Sequence, residues 1–249
     1  VTTVISHFFN EEYLLPWWLE HHKNMFDHGI MIDYNSTDRS VEIIKRICPT
    51  WEIIRSRNQF FGAREIDSEV MDIEKLLSGW RIALNTTEFL IGDLSIVNKP
   101  RSSFNYGHVG EEVIHGIGIP VSVMVDLDNV EPVYDVPLVS QKTDGIHYAE
   151  GGFDYRKGRL LHNKPGLMYP VGRHYKYTTE DLMILWYGWS PYNQRLIDRK
   201  LQIQDRMPLS DKQSGLGTSH LRTQDELNSE YETFKKQSRS LTKDINKLL

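Results

Sequence analysis

The alternation of apolar runs with helix-spaced segments over residues 1–92 constrains the fold more than any other feature. Residues 2–9 (TTVISHFF), 29–33 (GIMID), 51–55 (WEIIR) and 80–84 (WRIAL) are short, apolar and rich in β-branched or aromatic side chains, the signature of buried strands. Between them lie segments with helical spacing. The first carries Pro16, tolerated in a first turn where a missing N–H costs little. The second has Asp38 or Ser40 as a cap, an apolar face of Val41, Ile44 and Ile47, and Pro49 as its stop. The third repeats Ile66, Val70, Ile73 and Leu77 and ends at Gly79. Four strands joined by helices predict an α/β fold with a mostly parallel central sheet covered on both faces. In such sheets ligands sit beyond the carboxyl ends of the strands, here the loops 9–12, 33–38 and 85–88.

The remainder is less regular. Residues 120–125 (PVSVMV) and 159–163 (RLLHN) read as strands, and a helix is expected from Thr179 through Trp186. Near the C-terminus, Leu227, Tyr231, Phe234, Ser238, Leu241, Ile245 and Leu248 alternate steps of four and three. That is a heptad seam with one polar interruption, suited either to a helix docked on its own domain or to self-association through 227–248.

Composition narrows the class. Of 249 residues, 39% are hydrophobic, enough for a sizeable core. The net charge of −5 makes a general nucleic-acid binder a poor fit. Cys48 is the only cysteine, which excludes an intrachain disulfide and a Cys-based zinc site and suits a reducing, cytoplasmic setting. No apolar run reaches the length of a transmembrane helix. The start at Val1-Thr2-Thr3, without an initiator Met or a signal-type apolar region, fits a trimmed chain or a piece of a longer one.

Asp33-Tyr34-Asn35-Ser36-Thr37-Asp38 sits where a strand hands over to a helix. A carboxylate there can accept an N–H from a nucleobase, and the helix start that follows can satisfy phosphate. The same residues also make an ordinary Asx turn followed by a helix cap.

Three motifs in order carry a resemblance. The stretch from Asn10 to His22 (NEEYLLPWWLEHH) resembles the "NE…W…HH" opening of glycosyltransferase family 2-like proteins. Asp33-x-Asn35-Ser36-Thr37-Asp38 resembles their D-x-G/N-S-T-D turn, and residues 85–90 (NTTEFL) resemble their D-x-D-E-F-L strand end. The resemblance implies a GT-A (Rossmann-like) nucleotide-diphospho-sugar transferase fold. Residues 1–220 would form its catalytic domain, with 1–92 the nucleotide-binding half and 93–220 the acceptor half, and 221–249 a C-terminal helical extension. The implied activity is a hexosyltransferase-like glycosyl transfer, with inversion, from a nucleoside-diphosphate sugar to a hydroxyl. A UDP-sugar is the favoured donor, and a glycan, a lipid-linked glycan or a glycoprotein the acceptor. A GT-A-like module that binds nucleotide sugar or glycan without efficient transfer is the alternative, and a nucleotidyltransferase a more distant one.

The resemblance also assigns residues. Asn10, Asp33, Asp67, Asn85 and Thr87 fall at donor-contacting positions. The family's two carboxylates hold a divalent cation (Mn²⁺ or Mg²⁺) against the diphosphate. Here those positions are Asn85 and Thr87, which carry no charge, so Glu88 is the substitute metal ligand and His174 the second, with His220 a weaker choice. Arg173 is placed to offset diphosphate charge. An inverting transferase needs a carboxylate base, for which Asp154 and Glu150 are the candidates and Asp144 a close third. A literal D-x-D, Asp126-Leu127-Asp128, is either a late metal site or a polar turn. Thr178-x-x-Asp181 reads as a capping box. The cluster Trp186, Tyr187, Trp189 and Tyr192 suits stacking on a sugar or packing in the core. His147 and His162 read as structural.

Overall fold

The computed structural model describes residues 1–99, 107–109, 112–114, 116–150, 158–163 and 178–249. Its first half runs β1 (Thr2–Phe8), α1 (Leu15–His22), β2 (His28–Asp33), α2 (Ser40–Ile47), β3 (Glu52–Arg55), α3 (Ala63–Leu76), β4 (Trp80–Ala83) and β5 (Glu88–Gly92). The second half contains β6 (Gly107–Val109), β7 (Glu112–Ile114), β8 (Gly116–Ile119), β9 (Val121–Val125), α4 (Leu138–Gln141), β10 (Asp144–Ile146), β11 (Arg159–His162) and β12 (Leu182–Trp189). The chain closes with α5 (Gln194–Leu201), α6 (Leu209–Ser214), α7 (Gln224–Gln237), β13 (Arg239–Ser240) and α8 (Thr242–Asn246).

The expected β-α alternation over the first four strands is present. These strands are parallel neighbours in the order β3-β2-β1-β4, with Val4, Met31 and Ile82 fully buried. The architecture is α/β, but its sheets are mixed rather than mostly parallel. β11 joins β4 and β8 antiparallel, and a second sheet has the order β13-β10-β9-β12-β5, in which only β9 and β12 run parallel. The reason is local. Parallel neighbours need a crossover of about a dozen residues or more, and the short turn from Ala83 to Glu88 cannot supply one. β5 therefore leaves the first sheet and runs antiparallel to β12.

Two other expectations are corrected. The stretch read as a helix from Thr179 is strand β12, whose Leu182, Met183, Ile184 and Leu185 are all buried. A continuous apolar run between two sheet neighbours has no usable period, so helix and strand look alike in sequence. Thr178-x-x-Asp181 is no capping box; the Asp181 N–H donates to Thr179 Oγ1 instead (3.0 Å). The capping box lies at Thr223 and Glu226, at the start of α7.

The heptad seam is not one helix either. It breaks where β13 pairs with β10, and α8 follows. Leu227, Tyr231, Leu241 and Ile245 are buried in the chain's own core, as the docked-helix reading of the seam expects. The 221–249 segment packs on the 1–220 part rather than extending from it. Tyr231 lies flat on Tyr192, ring centroids 3.7 Å apart, and donates to the Asp126 carbonyl. Among the described residues no helix is long and apolar enough to cross a membrane.

The tryptophan-histidine opening turns out to be a clasp. β5 is an edge strand, and α1 covers its free edge with polar side chains. Trp18 Nε1 donates to the Glu88 carbonyl (2.8 Å), and His21 Nε2 donates to the Leu90 carbonyl (2.6 Å). His22 Nε2 accepts from the Leu90 N–H (3.1 Å), which leaves Nδ1–H to donate to the Trp18 carbonyl (2.8 Å).

Gly29 at the start of β2 is set by the neighbouring ring. A Cβ there would lie 2.1 Å from Trp51, a rigid group that cannot swing aside. Gly29→Ala is expected to lose about 1–3 kcal/mol of stability, read as a lower urea midpoint at unchanged slope. An unchanged midpoint would show that Trp51 does not sit there in solution.

Candidate functional site

The strand order creates a crevice. From β1 the chain steps outward through β2 to β3, and then returns to the other side of β1 with β4. The connections leaving β1 and β4 therefore part in opposite directions, which opens a gap at their carboxyl ends. Its walls are residues 9–12 and 84–87, with the turn after β2 alongside.

Those turns are locked together. Asn10 (φ +50°) and Asn35 (φ +66°) take the left-handed conformation, which asparagine tolerates better than most residues. Asn10 Oδ1 accepts from the N–H groups of Thr37 (2.8 Å) and Asp38 (3.3 Å), and its own N–H donates to Ser36 Oγ (3.1 Å). The Glu11 N–H donates to Ser40 Oγ (2.8 Å) and the Glu12 N–H to Asp38 Oδ2 (3.0 Å). The Asn10 side chain thus holds the turn. Asp33 closes an Asx turn through Oδ1, which accepts from the Ser36 N–H (2.8 Å). Its Oδ2 has no donor among the described residues and remains available to a ligand N–H.

The 84–87 turn carries a different chemistry from a metal site. Asn85 donates through its backbone N–H to Glu88 Oε2 (2.8 Å) and through Nδ2 to Oε1 (3.3 Å). Arg159 from β11 lies across the same carboxylate, with Nε 3.0 Å from both oxygens and Nη2 2.5 Å from Oε1. Both side chains are buried. The Glu88 charge, expected to serve a cation, is neutralised by a guanidinium, and the Asn85 side chain is spent on Glu88. Thr86 and Thr87 are buried, as is Asp67 on α3. The divalent-cation expectation therefore does not fit the donors at this turn. Among the described residues no group of three or more His, Cys, Asp or Glu could hold a metal.

Asp154, Arg173 and His174 lie outside the described residues. Glu150 is far from the expected role. It is exposed and paired with Arg239 (2.9 Å) on β13, at the opposite edge of the second sheet from β5. The Arg239 hydrogen bonds hold its carboxyl below the ordinary range, making it a weaker proton acceptor. Asp126 and Asp128 both receive Lys142 Nζ, the former at 2.9 Å, so an ammonium occupies the literal D-x-D. His162 is fully buried against Glu74 (3.3 Å). Tyr187 and Trp189 belong to the core, whereas Trp186 is half-buried and lies over Gly188.

What sequence reasoning missed is a set of cations from residues 199–222 that folds over the crevice. Arg199 Nε donates to Glu11 Oε2 (2.5 Å), and Nη2 reaches Thr86 Oγ1 (3.5 Å), bridging the two walls. The Arg206 guanidinium lies over the Phe9 ring (3.7 Å) and donates through Nη2 to the Tyr34 carbonyl (2.7 Å). Its Nη1 is buried with no hydrogen-bond partner among the described residues. Lys200 Nζ rests over Trp189 (4.1 Å) and Trp186 (5.7 Å). Burial pushes the Lys200 ammonium down to about 7, helped by Arg199 and Arg222. His220, edge-on to Phe61, is pushed down to about 4 by burial and by Lys200, Arg199 and Arg222. The available signal is the basic series Arg195, Arg199, Lys200 and Arg206.

No protein-family model and no curated protein matches the chain. Among solved structures it is similar to a 1–349 fragment of S. aureus TarS, at 12% identity over 65% of this chain and 47% of that one, with a TM-score of 0.35. The same fragment in complex with UDP-GlcNAc and with UDP aligns at 13% identity over 53% of this chain, covering 37% and 38% of the fragment, with a TM-score of 0.32 in both. The chain thus spans less than half the length of that fragment. At such scores the superposition is loose, and the functional reading rests on the chain's own residues.

Proposed function

We propose that this chain is a GT-A-type glycosyltransferase that takes a sugar from a nucleoside diphosphate, a UDP-sugar by preference, to a hydroxyl of a glycan-type acceptor with inversion. The observation that carries the reading is the convergence at the β1/β4 gap of a free carboxylate oxygen on Asp33 and a set of cations led by Arg199. In this reading the ligand runs along the gap beside β2, β1 and β4. Asp33 Oδ2 accepts a base N–H at one end, the cations face the diphosphate, and the half-buried Trp186 offers a face to the sugar. The acceptor's proton needs a carboxylate, for which Asp154 is the candidate by its place in the sequence.

A second reading, a binding module with little transfer, is favoured by one observation: Glu88 is neutralised by Arg159. Both readings are tested by incubating the chain with UDP-, GDP- and CDP-sugars, with and without Mn²⁺ or Mg²⁺, while following nucleoside-diphosphate release and binding heat. Release at catalytic turnover supports the transferase. Binding without release supports the module, and neither binding nor release overturns both.

A further inference from the structure

The crevice contains positive groups without matching negative ones. Lys200 Nζ has no ion pair or hydrogen bond among the described residues, only the faces of two tryptophans. Arg206 Nη1 is buried and makes no hydrogen bond among the described residues, although the Asp33 carboxylate faces its guanidinium. His220 is set among three cations rather than beside a carboxylate. The charges facing Lys200 are Arg199 on α5, Arg222 ahead of α7 and Glu230 on α7, with the titratable His220 beside it. Glu230 is already engaged by Arg222 at 2.7 Å. Arg199 is paired with Glu11, so that pair adds no net charge.

Holding like charges together out of water is unfavourable unless an anion joins them. The partner that Lys200 lacks has to be anionic, and the adjacent Arg199, which spans from Glu11 to Thr86, sets it near the carboxyl ends of β1 and β4. The uncharged Asn85 and Thr87, with Glu88 neutralised by Arg159, leave a diphosphate in that gap without a cation of the usual kind.

We infer that the donor's diphosphate is held by a side-chain cation, Lys200, with the Arg199–Glu11 pair and His220 beside it, in the place that a divalent ion fills in metal-dependent transferases. The inference rests on the nucleotide-sugar reading above. Arg206 serves the base end, where its guanidinium bonds the Tyr34 carbonyl and faces Asp33. The charge of the site is then set by its ligand. Burial and the neighbouring Arg199 push the Lys200 ammonium down to about 7, and a diphosphate beside it favours its charged form. Binding therefore takes up protons and strengthens as pH falls from 8 toward 6.

The test is calorimetry of UDP and of uridine with the whole chain, in EDTA and in Mn²⁺, in two buffers of different ionisation heat, repeated with Lys200→Gln and Lys200→Arg. UDP is expected to bind equally in EDTA and Mn²⁺ with net proton uptake. Lys200→Gln is expected to weaken UDP by about 10- to 100-fold while leaving uridine unchanged, and Lys200→Arg to retain UDP while losing part of the proton uptake. UDP binding that requires Mn²⁺, or that ignores Lys200→Gln while uridine still binds, overturns the inference and leaves the nucleotide reading standing. If neither UDP nor uridine binds, and GDP and CDP fail as well, the nucleotide reading falls and the inference with it.

Discussion

Arg159→Met is expected to cost about 3–5 kcal/mol of folding stability, because it strands the Glu88 carboxylate in the core without its counter-charge. The pair is buried on both sides, and Glu88 sits at the first residue of β5, where its carbonyl also receives Trp18. A loss of that size is a large part of the 5–15 kcal/mol that holds a typical domain together. The double variant Arg159→Met/Glu88→Leu is expected to recover most of it, since removing both charges removes the unpaired one. Urea unfolding of the parent, the single and the double variant measures both effects. A single-variant loss under about 1 kcal/mol would mean that Glu88 is not committed to Arg159, and would restore it as a candidate ligand for a divalent cation.

Local features of the fold were readable in the sequence, and distant ones were not. β1 to β4 and their helices announce themselves by strand-like runs and helical spacing, because each is decided within a few residues of its own sequence. The Asp33 turn is legible for the same reason: its Asx bond closes over three residues. β12 was misread because a strand buried on both faces has no period. The heptad seam was read with the right residues and the wrong continuity. The polar interruption at Ser238 is where α7 has ended, and the chain next adds a strand to β10.

The site was legible in half. The walls of the crevice come from motifs near the N-terminus, and these could be found by spacing. The cations that cross it come from far along the chain: Arg199 meets Glu11 across 188 residues, and Arg206 meets Tyr34 across 172. Nothing in a local window marks a basic run as a cover rather than a solvated face. Glu88 shows the converse error. Its place beside two uncharged residues suggested a metal ligand, but the partner that decides its role, Arg159, lies 71 residues away on an antiparallel strand.

Acid is expected to destabilise the chain steeply as pH falls below about 6.5. His22 is fully buried, and both ring nitrogens are committed: Nδ1–H donates to Trp18 and Nε2 accepts from the Leu90 N–H. A proton on Nε2 would face another donor, and burial together with His21 pushes the His22 pKa well below the usual value. His21 is lowered by burial, and His220 is pushed down to about 4. In the unfolded chain all three take protons near pH 6.5, whereas the folded chain refuses them until a lower pH. The unfolded state therefore gains the protons, and stability falls with pH, for His220 until the folded form also charges near 4.

Each such histidine contributes a slope of up to about 1.4 kcal/mol per pH unit between its unfolded and folded values. Glu11 and Asp144 act in the opposite sense. Burial raises both, so the folded chain takes their protons first. His22, lowered well below the usual value, and His220, lowered to about 4, outweigh them between pH 6.5 and 5.0, so stability falls on balance as the pH falls. Urea midpoints at pH 7.5, 6.5, 5.5 and 5.0 measure it, and His22→Gln, whose amide can both donate and accept, is expected to remove about a third of the histidine contribution. A flat profile between pH 6.5 and 5.0 would mean that these histidines are accessible to protons in the folded chain, and with that the clasp between α1 and β5 would lose its footing.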